Sequence, residues 1–63
     1  MAKFQQYEAK TITRLNVRNK PNKDGEVVRV LEVGEKIKVL SKNGDFGRIG
    51  TKEYVMLEFI ERI

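Results

Sequence analysis

Ser41, the single serine of the chain, directly precedes Lys42, an adjacency that could pair a hydroxyl nucleophile with an amine base. Such a pair works only when burial strips the proton from the lysine. Here both residues lie where an alternating run enters the turn-forming segment Lys42-Asn43-Gly44-Asp45, so Ser41 reads as a polar residue leading into a turn. Cysteine and histidine are both absent, which removes the thiol nucleophile, the imidazole base and the usual zinc ligands. None of the 9 acidic residues stands in an apolar stretch that would raise its pKa for acid–base work. Residues 43–50 offer three glycines (Gly44, Gly47 and Gly50), but without the Gly-Lys-Ser/Thr ending or the strand–loop–helix setting of a phosphate cradle. The expectation is a chain that binds and does not catalyse, with no cofactor and no metal.

Charge leaves a nucleic-acid reading open. The net charge is +4 and the isoelectric point about 9.6, values that suit an anionic partner such as teichoic acid, nucleic acid or an acidic protein face. Phe46 lies near Arg48, while Lys36, Lys38 and Lys42 could share one strand face beside it, as in basic grooves with stacking aromatics. Against this, acidic residues from Glu8 to Glu61 interleave with the basic ones, and aromatics make up only 8%. An ordinary soluble surface accounts for the same pattern, and nucleic acid stands as the lesser alternative.

The elements that must position these residues read as strands. Tyr7, Ala9 and Thr11 alternate to one side of residues 7–13, and Leu15 and Val17 do so in the next run. Asn19, Pro21, Asn22, Asp24 and Gly25 then form a turn cluster, so residues 19–25 are expected to be a tight loop. Residues 26–33 are rich in β-branched valine, Gly34 marks a turn, and residues 35–41 alternate with Ile37 and Val39 inward. Asn43-Gly44 is a strong hairpin signal. Strands are expected at 46–50 and 54–57, a turn at 50–53, and a closing strand at 60–63. A helix over residues 52–63 is the rival reading there, because Tyr54, Leu57 and Ile60 loosely follow helical spacing. With 63 residues and 40% hydrophobic content, the chain is one thin domain, residues 1–63, with 1–6 as an N-terminal extension. No stretch approaches the roughly 20 apolar residues of a membrane span, and residues 1–14 lack a signal-peptide pattern.

The order LNVRNKPNKDGEVVRVLEVGEKIKVL over residues 15–40, followed by the aromatic-Val pair Tyr54-Val55, resembles the bacterial SH3 family. Members of that family open on an LNVR-x-x-P segment, pass through a Gly-Glu/Lys-Lys-Val-x-Val-Leu middle and close on Gly-aromatic-Val. The likeness covers about residues 7–60. It implies an all-β, SH3-like barrel of roughly five to seven short antiparallel strands, with one 3₁₀ turn near residues 56–59. It also implies a groove bordered by aromatics: Phe46 stands where the family has Trp, Tyr54 matches the closing aromatic, and Phe59-Ile60 resembles the terminal Tyr-Leu pair. Arg18 belongs to the LNVR stretch, where it is expected to clamp the following loop through backbone carbonyls, and Asn16 accompanies it. Phe4 and Tyr7 are expected at the open end of the barrel or at the groove. The candidate groove is thus Tyr7, Asn16, Arg18, Phe46 and Tyr54. Gly47 replaces an aromatic that the family places after its Trp, which would thin the groove by on the order of 150–250 Å² per ring.

By resemblance the function is a non-catalytic binding module for bacterial cell-wall peptidoglycan peptide. The alternative is an intracellular bacterial or phage protein–protein interaction module. Location follows the same division: cytoplasmic if the chain stands alone, cell wall or extracellular if it is part of an exported or phage-released protein.

Overall fold

Alternation of apolar and polar side chains over short runs, punctuated by glycine and by the Pro21 loop, builds regular elements that, among the described residues, are all strands but for one 3₁₀ turn. The computed structural model describes residues 5–63. Among these are eight strands: β1 Tyr7–Thr11, β2 Leu15–Arg18, β3 Val27–Leu31, β4 Lys36–Val39, β5 Ser41–Asn43, β6 Phe46–Gly50, β7 Glu53–Met56 and β8 Ile60–Arg62. A 3₁₀ turn at Leu57–Phe59 separates the last two, so the helical rival for residues 52–63 is replaced by strand and a single tight turn. One strand more than the expected range arises because the run over residues 35–43 breaks at Leu40. Its amide turns instead to the Arg48 carbonyl, at 2.7 Å.

The strands form two antiparallel sheets, one ordered β4-β1-β8 and the other β3-β2-β7-β6-β5. Ala9, Thr11 and Val39 come from the first and Leu15, Val17, Leu31, Phe46 and Val55 from the second, and together they are the buried residues that fill the space between the elements. Ile37, Ile49, Phe59 and Ile60 pack around the central cluster of Leu15, Val17, Leu31 and Val55. In β4 the period-2 rule holds: Val39 is buried and Ile37 half-buried, with Lys36 and Lys38 in solvent. In β3 it does not. Only Leu31 is buried, while Val27, Val28 and Val30 are exposed, because β3 is a sheet edge whose register slips between Val17 and Arg18 of its neighbour.

Turns follow local chemistry with one shift. Gly34 takes φ +83 where the chain passes from one sheet to the other. In the β5–β6 hairpin Asn43 pairs with Phe46, so the central residues are Gly44-Asp45 and not Asn43-Gly44. Glycine then occupies the first central position with φ +58, as the primed hairpin turns require.

The crossing at Gly34 is pinned by Thr11, which is 1% exposed. Its hydroxyl donates to the Glu32 carbonyl at 2.6 Å and accepts from the Glu35 amide at 3.1 Å. Main-chain bonds from Thr11 to Glu35 and from Gly34 to Thr11 complete the clasp. Thr11→Val keeps the shape and removes both hydroxyl bonds. It is expected to cost about 1–3 kcal/mol in chemical denaturation, with Thr11→Ser retaining most of the wild-type value. Equal stability of the valine and wild-type chains would show that the hydroxyl does not hold this turn.

Candidate functional site

The 3₁₀ turn is where the chain builds concave surface. Its Leu57 amide donates to the Asp45 carbonyl at 2.9 Å, and its Phe59 carbonyl accepts from the Ile12 amide at 3.0 Å. The turn is therefore tied to the β5–β6 hairpin on one side and to the β1–β2 connection on the other, and a cleft lies on each side. One, of about 350 Å³, is lined by Lys42, Gly44, Asp45, Met56, Leu57 and Glu58. The other, of about 280 Å³, is lined by Thr13, Arg14, Leu15, Asn16, Arg18, Phe46, Met56 and Phe59. Met56 lines both.

The second cleft is the better built for recognition. Phe46, Phe59, Met56 and Leu15 give it an apolar lining, and Thr13, Asn16, Arg14 and Arg18 supply polar groups at its sides, the mix that fixes both affinity and orientation of a small ligand. The first cleft borders a hairpin tip and is lined mainly by charged or backbone groups, so it offers less apolar surface to bury.

Of the five residues expected at a groove, the fold brings three together. Asn16, Arg18 and Phe46 all line the second cleft. Phe46 is only 6% exposed, so its ring is a floor and not a projecting edge. Arg18 donates from Nη1 to the Gly25 carbonyl at 2.8 Å, clamping the 19–25 loop as its position in the LNVR run suggests. The same loop is closed by Asn19, whose side-chain oxygen accepts from the Glu26 amide at 3.0 Å. Tyr54 lines neither cleft; it is half-buried on the adjoining sheet surface, directly across from Arg18 on β2 and from Arg48 on β6. Tyr7 belongs to the other sheet, opposite Val39, with the Arg62 guanidinium 4.7 Å above its ring. Phe4 lies outside the described residues.

Thr13, Arg14, Leu15 and Met56 line the cleft without having been expected there, and Phe59 joins them as the resemblance implied for its terminal aromatic. Met56 was legible: it follows the buried Val55, so alternation turns it to the outer side, beside Tyr54. Phe59 packs against the core cluster and lines the cleft at once. Thr13 and Arg14 stand in the connection after β1, where no periodicity marks a direction.

Gly47 has a different meaning from the one the resemblance implied. It is buried opposite Val55, and a Cβ placed there would come within 2.6 Å of Leu57 Cδ2 and 3.2 Å of Val39 Cγ1. An aromatic at this position would drive into the interior, so its absence makes room for Leu57 and takes nothing from the cleft.

Two ion pairs form among the described residues. Arg29 grips Glu53 with two bonds, Nε to Oε2 at 2.9 Å and Nη2 to Oε1 at 3.2 Å, and that hydrogen bonding raises the guanidinium pKa above its ordinary value. Arg14 approaches Glu32 at 3.6 Å, but both side chains are largely exposed, so the pair adds little to stability. Among the described residues no cluster of three or more acidic side chains gathers to hold a metal, and no helix is long and apolar enough to cross a membrane.

A family model described as bacterial SH3 domain matches residues 13–61. No curated protein and no solved structure matches the chain. Strand β1 precedes the matched stretch, yet it is the central strand of the smaller sheet. With an all-strand fold of two antiparallel sheets, a 3₁₀ turn before the last strand and the match over most of its length, this chain belongs to the bacterial SH3 domain family, a family of binding modules.

Proposed function

We propose that this chain is a non-catalytic binding module, a single domain over residues 1–63 with 1–6 as an extension, whose target is a peptide of bacterial cell-wall peptidoglycan. The observation that carries the reading is the cleft of about 280 Å³ beside the 3₁₀ turn, floored by Phe46 and Phe59 and rimmed by Asn16 and Thr13. A cleft of that volume suits a few small residues of an extended peptide, held by rim hydrogen bonds while its apolar parts cover the floor. Nucleic acid is the weaker fit. Phe46 is too buried to stack on a base, and the arginines at this cleft, Arg14 and Arg18, have partners inside the protein.

Sedimentation with purified sacculi tests the proposal. The wild-type chain is expected to pellet with them, and Asn16→Ala, an exposed rim change, to lower the bound fraction by about fivefold. Absence of sedimentation with sacculi from any source would defeat the reading.

One observation favours a protein partner instead. Among the described residues the outer edge of β3 is unpaired, and it carries exposed Val27, Val28 and Val30, a surface on which a partner strand could add. The register slip beside Val28 interrupts that edge, as natural sheets do to discourage pairing. The edge is therefore the second reading, and it predicts that Val28→Lys and not Asn16→Ala abolishes binding.

A further inference from the structure

Antiparallel pairing places one residue from each strand of the larger sheet in a single row: Val27, Arg18, Tyr54, Arg48 and Ser41. Directly paired residues project to the same side of a sheet, so this row forms a strip of surface. The strip holds two guanidinium groups and no carboxylate.

The five arginines of the chain differ in how they are compensated. Arg14 meets Glu32, Arg29 meets Glu53, Arg62 lies over the Tyr7 ring, and Arg18 donates to the Gly25 carbonyl. Arg48 alone has no side-chain partner among the described residues, although it is half-buried on β6, an interior strand of the sheet. Its row neighbours Tyr54 and Ser41 are also half-buried, and each carries a hydroxyl with no partner among the described residues. A guanidinium partly withdrawn from water with no counter-charge is costly to keep. A planar anion with two oxygens offsets that cost, because the guanidinium fork matches it in two parallel hydrogen bonds.

We propose that Arg48, assisted by the Tyr54 hydroxyl, is a carboxylate-binding position, and that the module's ligand is a peptide bearing a free carboxylate. This rests on the cleft reading above. Arg18 lines the cleft, and Arg48 lies two strands further along the same row, roughly 10 Å at the usual strand spacing. About three extended residues span that gap. A carboxylate is favoured over a nucleic-acid backbone for two reasons. One unpartnered arginine matches one charge, whereas nucleic-acid affinity needs several phosphate contacts. Tyr54 is also the single aromatic on this row, too few for successive bases to stack.

The test uses the full chain, isotope-labelled, and follows the Arg48 side-chain Nε–Hε signal together with the cleft amides. The probes are N-acetyl-alanyl-alanine, its C-terminal amide, inorganic phosphate and an oligothymidylate. The free acid is expected to move the Arg48 signal saturably and to bind at least about fivefold more tightly than the amide. Arg48→Gln is expected to abolish that difference while the cleft amides still respond, and Arg48→Lys to keep part of it. Acid and amide shifting the cleft amides equally, with Arg48 silent, would overturn the carboxylate position and leave the cleft reading standing. A response to phosphate or oligothymidylate alone would overturn it in favour of a phosphate ligand. Silence of Arg48 toward all four probes would overturn it outright.

Discussion

Phe46→Ala is expected to unfold much of the protein population, and with it to abolish binding for a reason unrelated to the ligand. The ring is 6% exposed and stands on β6 opposite Met56, where it is both cleft floor and core. Truncating a buried phenylalanine costs about 3–5 kcal/mol through lost transfer energy and the cavity left behind. A domain of this length has on the order of 3–9 kcal/mol in total, at the usual 0.05–0.15 kcal/mol per residue. The variant should therefore show a sharply lowered denaturation midpoint. Phe46→Leu, which keeps most of the apolar volume, should fold and allow the floor's part in binding to be read. A Phe46→Ala chain with the wild-type midpoint would mean that the ring is not packed as described.

Leu31→Ala should come next in severity. Leu31 is 1% exposed, the largest of the fully buried side chains, and the one residue of β3 that reaches the core. A loss of about 2–5 kcal/mol is expected, which for a domain this small lowers the melting temperature by roughly 10–40 °C at the usual 4–8 °C per kcal/mol. Its immediate neighbour provides the control. Val30 is 38% exposed and faces outward opposite Asn16, so Val30→Ala should change stability by no more than about 0.5 kcal/mol. Thermal denaturation of the pair therefore reads the orientation of the edge strand directly. Equal losses at the two positions would contradict it.

The same pair shows what sequence reading can and cannot do here. Valine content pointed to a strand over residues 26–33, where β3 runs Val27–Leu31, but a run of β-branched residues has no polar partner to show which side is buried. The answer came from tertiary position: β3 is an edge, its register slips near Val28, and the valines stay in solvent. Where polar residues alternated, direction was legible, as in Lys36-Ile37-Lys38-Val39 and Leu15-Asn16-Val17-Arg18. The 3₁₀ turn was expected at residues 56–59 and lies at Leu57–Phe59.

The candidate site was legible in part. Asn16 and Arg18 could be placed because the LNVR run is a clean alternating strand leading into a loop that needs a clamp, and the clamp to Gly25 is present. Tyr54 was marked by its type, but its role depends on cross-strand neighbours, Arg18 and Arg48, that lie 36 and 6 positions away in the chain. Pairing of that kind is set by register, which no local pattern specifies. Gly47 was misjudged for a related reason. Its value lies in the space it leaves for Leu57, and a missing side chain gives no sign of what approaches it.

The cleft beside the 3₁₀ turn is the surface proposed to meet the ligand. Its most direct test is amide chemical-shift mapping of the full chain during titration with stem peptide released enzymatically from sacculi. Saturable shifts are expected, centred on Thr13, Asn16, Arg18, Met56 and Phe59. Shifts centred instead on the outward lysines of the smaller sheet, Lys10, Lys36 and Lys38, or no shifts at saturating peptide, would contradict this proposal.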